Sequence, residues 1–295
     1  MPNSGASEPE FLSRFKWVPL DFANQYLDYS KIKFSPKTYN EKKIAFRMLF
    51  KSVDPELKVS EIHKGLVLSH LAHQSETRSG NAANKDRKNL VAAWNWAIQY
   101  MQGVPTENPF LVARFAEIRS VRHVPSEKDF WSVYNEAESE QDRVMLLCYL
   151  HLAARLSEIF KLRIEDVDLI RKRIRLYTRK RRDGSGHYDW LPLTERLHNE
   201  LSIFMSNISR EWLFPNPRTE HPYEFRQKWL PRLCKKAGVK PFGVHGIRHL
   251  SASILISADV SLIDVQTILR HQSLKTTERY IHRLDSVRKA VSVFK

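Results

Sequence analysis

Between His245 and Tyr280 the chain carries His245, Arg248, His249, His271 and Tyr280 among leucines, isoleucines and valines. A core calls for the aliphatics alone. Imidazoles hold or move protons near neutral pH, and a guanidinium grips two phosphate oxygens with its planar fork. A phenol is a nucleophile once deprotonated. These are the parts of phosphodiester chemistry without a metal. Such chemistry needs cations on the non-bridging oxygens as the phosphorane forms, a nucleophile, and a proton donor for the departing oxygen.

Further groups lie upstream. In "ARLSEIFKLRIEDVD" Glu158 follows Arg155 by three residues, so one helical turn brings the carboxylate beside the guanidinium. His245 and Arg248 share that spacing. "YTRKRRDGSG" contributes Arg179, Lys180, Arg181 and Arg182 beside Asp183-Gly184-Ser185-Gly186, a β-hairpin signal. Period-two alternation puts Ile174, Leu176, Thr178 and Lys180 on one strand face and Arg173, Arg175, Tyr177 and Arg179 on the other. The first face is the apolar one, so Lys180 points inward, and Arg179 meets solvent or a DNA backbone.

Each group has a plainer reading. Arg155, near the end of an apolar helix, reads more often as a snorkelling surface residue. Tyr280 reads as an ordinary surface tyrosine, a poor nucleophile with an unperturbed pKa of about 10. His245 and His249 have the four-residue spacing of metal ligands, but Gly246 stands where a zinc-protease helix carries its glutamate. No third ligand is evident, and no metal site is expected.

The elements that must position these groups read as mostly helical. "FANQYLDYSK", "SPKTYNEKKIAFRMLFKSV", "SEIHKGLVLSHLAHQ" and "NAANKDRKNLVAAWNWAIQYM" predict four helices, the second with Ser35 as N-cap and Pro36 in its first turn. The second and fourth open on basic, polar turns: Lys37, Thr38, Tyr39, Lys42 and Lys43, then Asn84, Lys85, Arg87 and Lys88. Such turns suit phosphate or groove contact. Gly103, Pro105, Pro109 and Pro125 break the rhythm and predict an interdomain linker. Beyond it follow the apolar helix "QDRVMLLCYLHLAARLSEIFKL", the hairpin, and a mostly helical stretch from Thr194 onward.

Bulk properties agree with a nucleic-acid partner. Of 295 residues, 48 are Lys or Arg and 33 Asp or Glu, a net charge of +15, which predicts attraction to a polyanion. No apolar run is long enough to span a membrane and Met1 to Glu10 resembles no signal peptide, so a cytoplasmic protein with no membrane partner is expected. Cys148 and Cys234 are far apart and flanked by apolar residues, which predicts buried thiols.

In order and local context these motifs resemble the tyrosine recombinase, or phage-type integrase, family. That family carries an arginine in an R-[IL]-S-E turn, a hairpin lysine, an H-x-x-R pair, then a second histidine or tryptophan with a tyrosine nine residues on. Here these fall on Arg155 with Glu158, Lys180, His245 with Arg248, and His271 with Tyr280. The resemblance implies a mainly α fold with a small antiparallel sheet. It divides the chain into a disordered 1–9, a SAM-like helical core-site-binding domain over 10–110, a linker at 111–125 and an α+β catalytic domain over 126–295. It implies a nucleophilic Tyr280 forming a 3′-phosphotyrosyl bond, with Arg155, Arg248 and His271 stabilising the phosphorane. Lys180 is then the general acid, His245 assists proton transfer and Glu158 orients. No cofactor, metal or ATP is implied.

The implied partners are a double-stranded DNA recombination site, copies of the chain in a synaptic homotetramer (the free protein being a monomer) and an accessory DNA-bending protein. The implied setting is nucleoid-associated, bacterial or phage-encoded. An additional arm-site-binding domain is not expected. Two positions depart from the family's usual glycines. Asp259 tolerates a left-handed backbone better than most residues. Arg270 either alters how His271 is presented or adds a phosphate contact. The alternatives are a topoisomerase of type IB, which shares the arginines, lysine and tyrosine, and a non-catalytic DNA-binding protein.

Overall fold

A computed structural model describes residues 18–118, 123–178, 187–206, 208–271 and 273. They fall into two compact units that divide between residues 120 and 121, each with its own apolar core. The expected disordered 1–9 lies outside the described residues.

The first unit is helical: α1 (Pro19–Lys33), α2 (Pro36–Leu49), α3 (Lys64–Thr77) and α4 (Gly80–Tyr100). Ser35 caps α2 by accepting from the Thr38 N–H at 3.4 Å, and Pro36 takes the first helical position. There its missing N–H costs nothing, because helical N–H groups in the first turn have no partner anyway. Ser79 caps α4 in the same way, accepting from Ala82 N at 3.1 Å. The apolar stripe of α4 fills the centre of the unit, where Phe22 stands edge-on to both Phe46 and Trp94, with centroids 5.4 and 5.6 Å apart.

The start of the expected linker is structured. Phe110 is fully buried, and Val112 and Phe115 pack against the same core. Asn84 exchanges bonds with the Phe115 backbone, donating to its O at 2.8 Å and accepting from its N at 3.0 Å. Arg87 Nε donates to Val112 O at 2.7 Å. The strand-like approach leaves no room for a side chain at Gly80, where a Cβ would lie 2.0 Å from the Ala116 oxygen. The prolines before this stretch break the helix, as read, but the apolar Phe110, Val112 and Phe115 then return the chain to the core.

The second unit surrounds α6 (Glu140–His151), every residue of which from Val144 to Leu150 is buried. Around it lie α5 (Glu127–Asn135), the short α7 (Leu156–Phe160), α8 (Glu195–Met205), α9 (Trp229–Lys236), α10 (Val244–Ser257) and α11 (Leu262–Leu269). A three-stranded antiparallel sheet runs β1 (Val167–Asp168), β2 (Arg173–Thr178), β3 (His187–Pro192) in that order. Ile174 pairs with Leu191 and Leu176 with Asp189. Ile174, Leu176 and Leu191 are buried, while Arg173, Arg175 and Tyr177 occupy the other face, the alternation the sequence predicts. On that outer face the Arg173 and Arg175 guanidiniums lie over the Trp190 and Tyr188 rings at 4.3 and 4.5 Å.

Two expectations need correction. The apolar helix does not run through Arg155: α6 stops at His151, and Ala153 adopts a left-handed φ of 45° before the chain re-enters a helix. The stretch after α8 is not helical until Trp229. Pro215, Pro217 and Pro222 remove backbone donors there, and the chain makes turns and isolated bridges, Arg163 with Trp212 and Pro215 with Pro222. Among the described residues no helix is long and apolar enough to cross a membrane.

Candidate active site

The left-handed turn at Ala153 sets the site's geometry. It frees the carbonyls of Leu152 and Ala153 from α6 and turns the chain so that Arg155 becomes the N-cap of α7 in an extended conformation. Glu158 closes that cap: Oε2 accepts from the Arg155 backbone N at 2.7 Å, and Oε1 accepts from Arg155 Nη1 at 2.7 Å. One carboxylate thus fixes both ends of the same arginine. Burial raises the Glu158 pKa, but Arg270 and Arg155 outweigh it, and the carboxyl titrates below its ordinary range.

Opposite, α11 ends in a second left-handed residue, Arg270 (φ 51°, ψ 47°). Its carbonyl accepts from Arg155 Nη2 at 3.1 Å. Arg248, on α10 and 1% exposed, spans the two turns. Its Nη1 donates to Ala153 O at 2.5 Å and its Nη2 to Leu269 O. The turns are therefore joined through the arginines that the sequence marks for phosphate.

His271 follows directly, its N–H donating to Gln266 O at 3.1 Å and its O accepting from Gln266 Nε2 at 2.9 Å. Partial burial, then the fields of Arg248, Arg155, Arg270 and His245, push its pKa down to about 4. Arg155, Arg248 and His245 thus all act electrostatically on this one imidazole. His245 is exposed at the start of α10, its ring edge-on to His249 at 5.3 Å. Gly246 is buried, and a Cβ there would come within 3.2 Å of the His123 carbonyl. A glutamate at Gly246, as in a zinc-protease helix, would press its Cβ against that backbone, which would have to give by a few tenths of an ångström. Lys180, Arg179, the Asp183–Gly186 turn and Tyr280 lie outside the described residues. Asp189, which pairs with Leu176 across the sheet, contributes to the electrostatic field at Arg270.

Arg270 resolves the two alternatives set by the sequence. Its side chain is 4% exposed and points at Glu158, with Nη2 to Oε2 at 2.8 Å, so it makes no phosphate contact from this position. Asp259 is left-handed, at φ 57°, as expected. Nothing in residue spacing marks the Leu152, Ala153 and Leu269 carbonyls as arginine acceptors. The only sequence trace was a glycine position filled by arginine.

The basic helix starts of the first unit divide. Lys37, Lys43, Lys85 and Lys88 are exposed, Lys85 pairing with Glu41 at 2.9 Å, and Thr38, Tyr39 and Arg87 are half-buried. Lys42 and Asn84, expected at a DNA surface, are both buried. Lys42 donates to Tyr26 Oη at 2.6 Å and sits 4.6 Å from the Phe34 ring centroid, and Asn84 is committed to the Phe115 backbone.

The sequence pattern of the phage integrase family matches residues 126–286, more than half of the chain. The chain belongs to the phage integrase family. It is a tyrosine recombinase, an enzyme of site-specific recombination that cleaves and rejoins DNA. Its relatives include a tyrosine recombinase of Pseudothermotoga lettingae, 25% identical over 79% of this chain and 81% of that protein. The tyrosine recombinase XerA of Saccharolobus solfataricus is 23% identical over 81% of this chain and 79% of its own length. Among solved structures, the Tn1549 transposon integrase in complex with transposon right end DNA matches with a TM-score of 0.75 at 16% identity, covering 94% of this chain and 99% of that one. A lambda integrase dimer bound to a COC′ core site matches at 0.74 and 17%, covering 94% and 81%. These structures share the recombinase's mainly helical fold with its small antiparallel sheet.

Proposed function

We propose that this recombinase cuts one DNA strand by in-line attack of the Tyr280 phenolate on a backbone phosphate. The Tyr280 Oη–P bond forms as the P–O5′ bond breaks, leaving a 3′-phosphotyrosyl ester and a 5′-hydroxyl. Arg155, Arg248 and His271 hold the non-bridging oxygens as negative charge grows on them. His245 takes the phenol proton, and Lys180 gives a proton to the departing O5′. The ester conserves the energy of the broken bond, so a 5′-hydroxyl from a second duplex reverses the step, with no ATP or metal. Exchange between two duplexes calls for copies of the chain paired on DNA. A lambda integrase tetramer bound to a Holliday junction is among the structural matches.

The observation that carries this reading is the joining of Arg155 and Arg248 to two opposed left-handed turns beside His271, with His245 one helical turn before Arg248 on α10. A neutral His271 donates a hydrogen bond to a phosphorane oxygen, and the arriving phosphate raises its affinity for a proton. The exposed Lys37, Lys43, Lys85 and Lys88 of the first unit supply backbone contacts on the duplex.

The test uses nicked duplexes carrying repeats from the DNA that flanks the gene, incubated with protein in EDTA. A covalent protein–DNA adduct is expected from the wild type. For the proton donor, a 5′-bridging phosphorothiolate, whose leaving sulfur needs no protonation, should restore cleavage to Lys180→Ala; a variant still inactive on it removes Lys180 from the acid role.

A further inference from the structure

The carboxylate of Glu158 is gripped from two sides. Oε1 accepts from Arg155 Nη1, while Oε2 accepts from the Arg155 backbone and from Arg270 Nη2 at 2.8 Å. We infer that Arg270 is a positioning residue for strand cleavage, holding the Arg155 guanidinium in its phosphate-facing orientation through Glu158 and through its own backbone carbonyl. The inference rests on the proposed role of Arg155 and adds to it a residue that no reacting atom touches.

The local arrangement is costly for stability alone. Arg270 adopts a left-handed backbone, disfavoured for any residue with a Cβ. Its charge is buried, with Nη1 donating to Ile268 O at 2.8 Å and Leu152 O at 3.2 Å, and Nη2 reaching Ala153 O at 3.4 Å. Its Nε is buried with no hydrogen-bond partner among the described residues. Glycine would form the same turn without strain or desolvation. What arginine adds is the second ion pair to Glu158. Without Arg270, Oε2 keeps only the Arg155 N–H; the second guanidinium adds a charged bond that any turn of the carboxylate must also break. The same left-handed turn aims the Arg270 carbonyl at Arg155 Nη2, 3.1 Å away. Loosening of Glu158 on the Oε2 side lets the Arg155 guanidinium drift, and a drift of about 1 Å at an oriented centre costs on the order of a hundredfold in rate.

The experiment measures adduct formation on the nicked duplex by the full chain, over a range of DNA concentrations. It compares wild type, Arg270→Met, Arg270→Gly, Arg270→Lys and Arg155→Ala. For the Met and Gly variants the rate at saturating DNA is expected to fall roughly ten- to a hundredfold. The half-saturating DNA concentration should shift by less than about threefold, since no DNA contact is lost. Arg270→Lys keeps a donor to Glu158 and should recover the larger part of the loss. Arg270→Gly also relieves the left-handed strain, so a folded variant remains where Arg270→Met does not fold. Wild-type rates from the Gly variant overturn the inference. So does a loss confined to the half-saturating concentration, which would make Arg270 a DNA contact. Arg155→Ala separates the two readings: full cleavage by it removes the Arg155 role itself, whereas its inactivity beside active Arg270 variants removes this inference alone.

Discussion

At the scale of single residues, the arginines at this site serve two purposes that mutation can separate. Arg248 satisfies the carbonyls of Ala153 and Leu269, both at turns that have left their helices. Arg248→Met removes the donor to the Leu269 carbonyl and leaves the Ala153 carbonyl only the longer 3.4 Å bond from Arg270 Nη2, at roughly 1–3 kcal/mol for an acceptor left unpaired. It should therefore lower the unfolding free energy of the catalytic unit as well as abolish cleavage, which denaturant titration will register. Glu158→Gln is nearly isosteric and keeps the α7 cap acceptor, but it loses the charge that Arg155 and Arg270 share. Adduct formation should slow by about tenfold or more while DNA affinity is retained; an equal loss of affinity would place Glu158 among the DNA contacts. Arg155, Glu158, His245, Arg248 and His271 are legible in sequence because the chemistry restricts residue type and the helix and turn spacing restricts position. Arg270 is not, because its role depends on a backbone conformation that only the folded turn reveals.

At the scale of elements, the helix starts of the first unit show why a basic turn is an incomplete signal. Lys37 and Lys43 flank Lys42 in sequence, yet the turn of α2 points Lys42 inward, against Tyr26 and Phe34. Period and charge together would have flagged it: Lys42 lies three and four residues before the buried Ala45 and Phe46, on their face. Removing Lys37, Lys43 or Lys88 should weaken DNA binding across sequences and reduce the slope of log affinity against log salt by about 1 apiece. Lys42→Met should leave that slope alone and change the thermal midpoint instead. Salt titrations in which Lys42→Met behaves like Lys37→Ala would mean that α2 opens when DNA binds. The outer and inner faces of β2 were legible from alternation alone, whereas the end of α6 was not. Ala153 is a good helix former in a left-handed turn, held there by bonds from Arg248 and Arg270 and by packing with Ala252, Val265 and Leu269.

At the scale of the whole molecule, each unit contains a histidine whose titration couples folding to pH. Burial, then His73 and Arg78, push His70 of α3 down to about 4, as burial and the arginines do for His271. Between the unfolded value of about 6.5 and the folded value, the unfolded chain binds protons that the folded chain does not. Stability is therefore full above about pH 6.5, falls as pH drops toward 4, and loses no more from these groups below it. Unfolding midpoints at pH 7, 5.5 and 4.5 should decline in that order, and His70→Gln should flatten the decline of the first unit; an unchanged decline would assign it elsewhere. The mainly α fold was legible from caps and periodicity, and the family from ordered motifs, although the packing of 111–118 on the first unit was not. The most direct measurement of the central claim is where DNA becomes attached. The adduct formed on a nicked duplex, digested with protease and nuclease and analysed by mass spectrometry, should carry its nucleotide remnant on the peptide containing Tyr280, and Tyr280→Phe should form no adduct. A remnant on any other residue, or an adduct formed by Tyr280→Phe, would contradict the account.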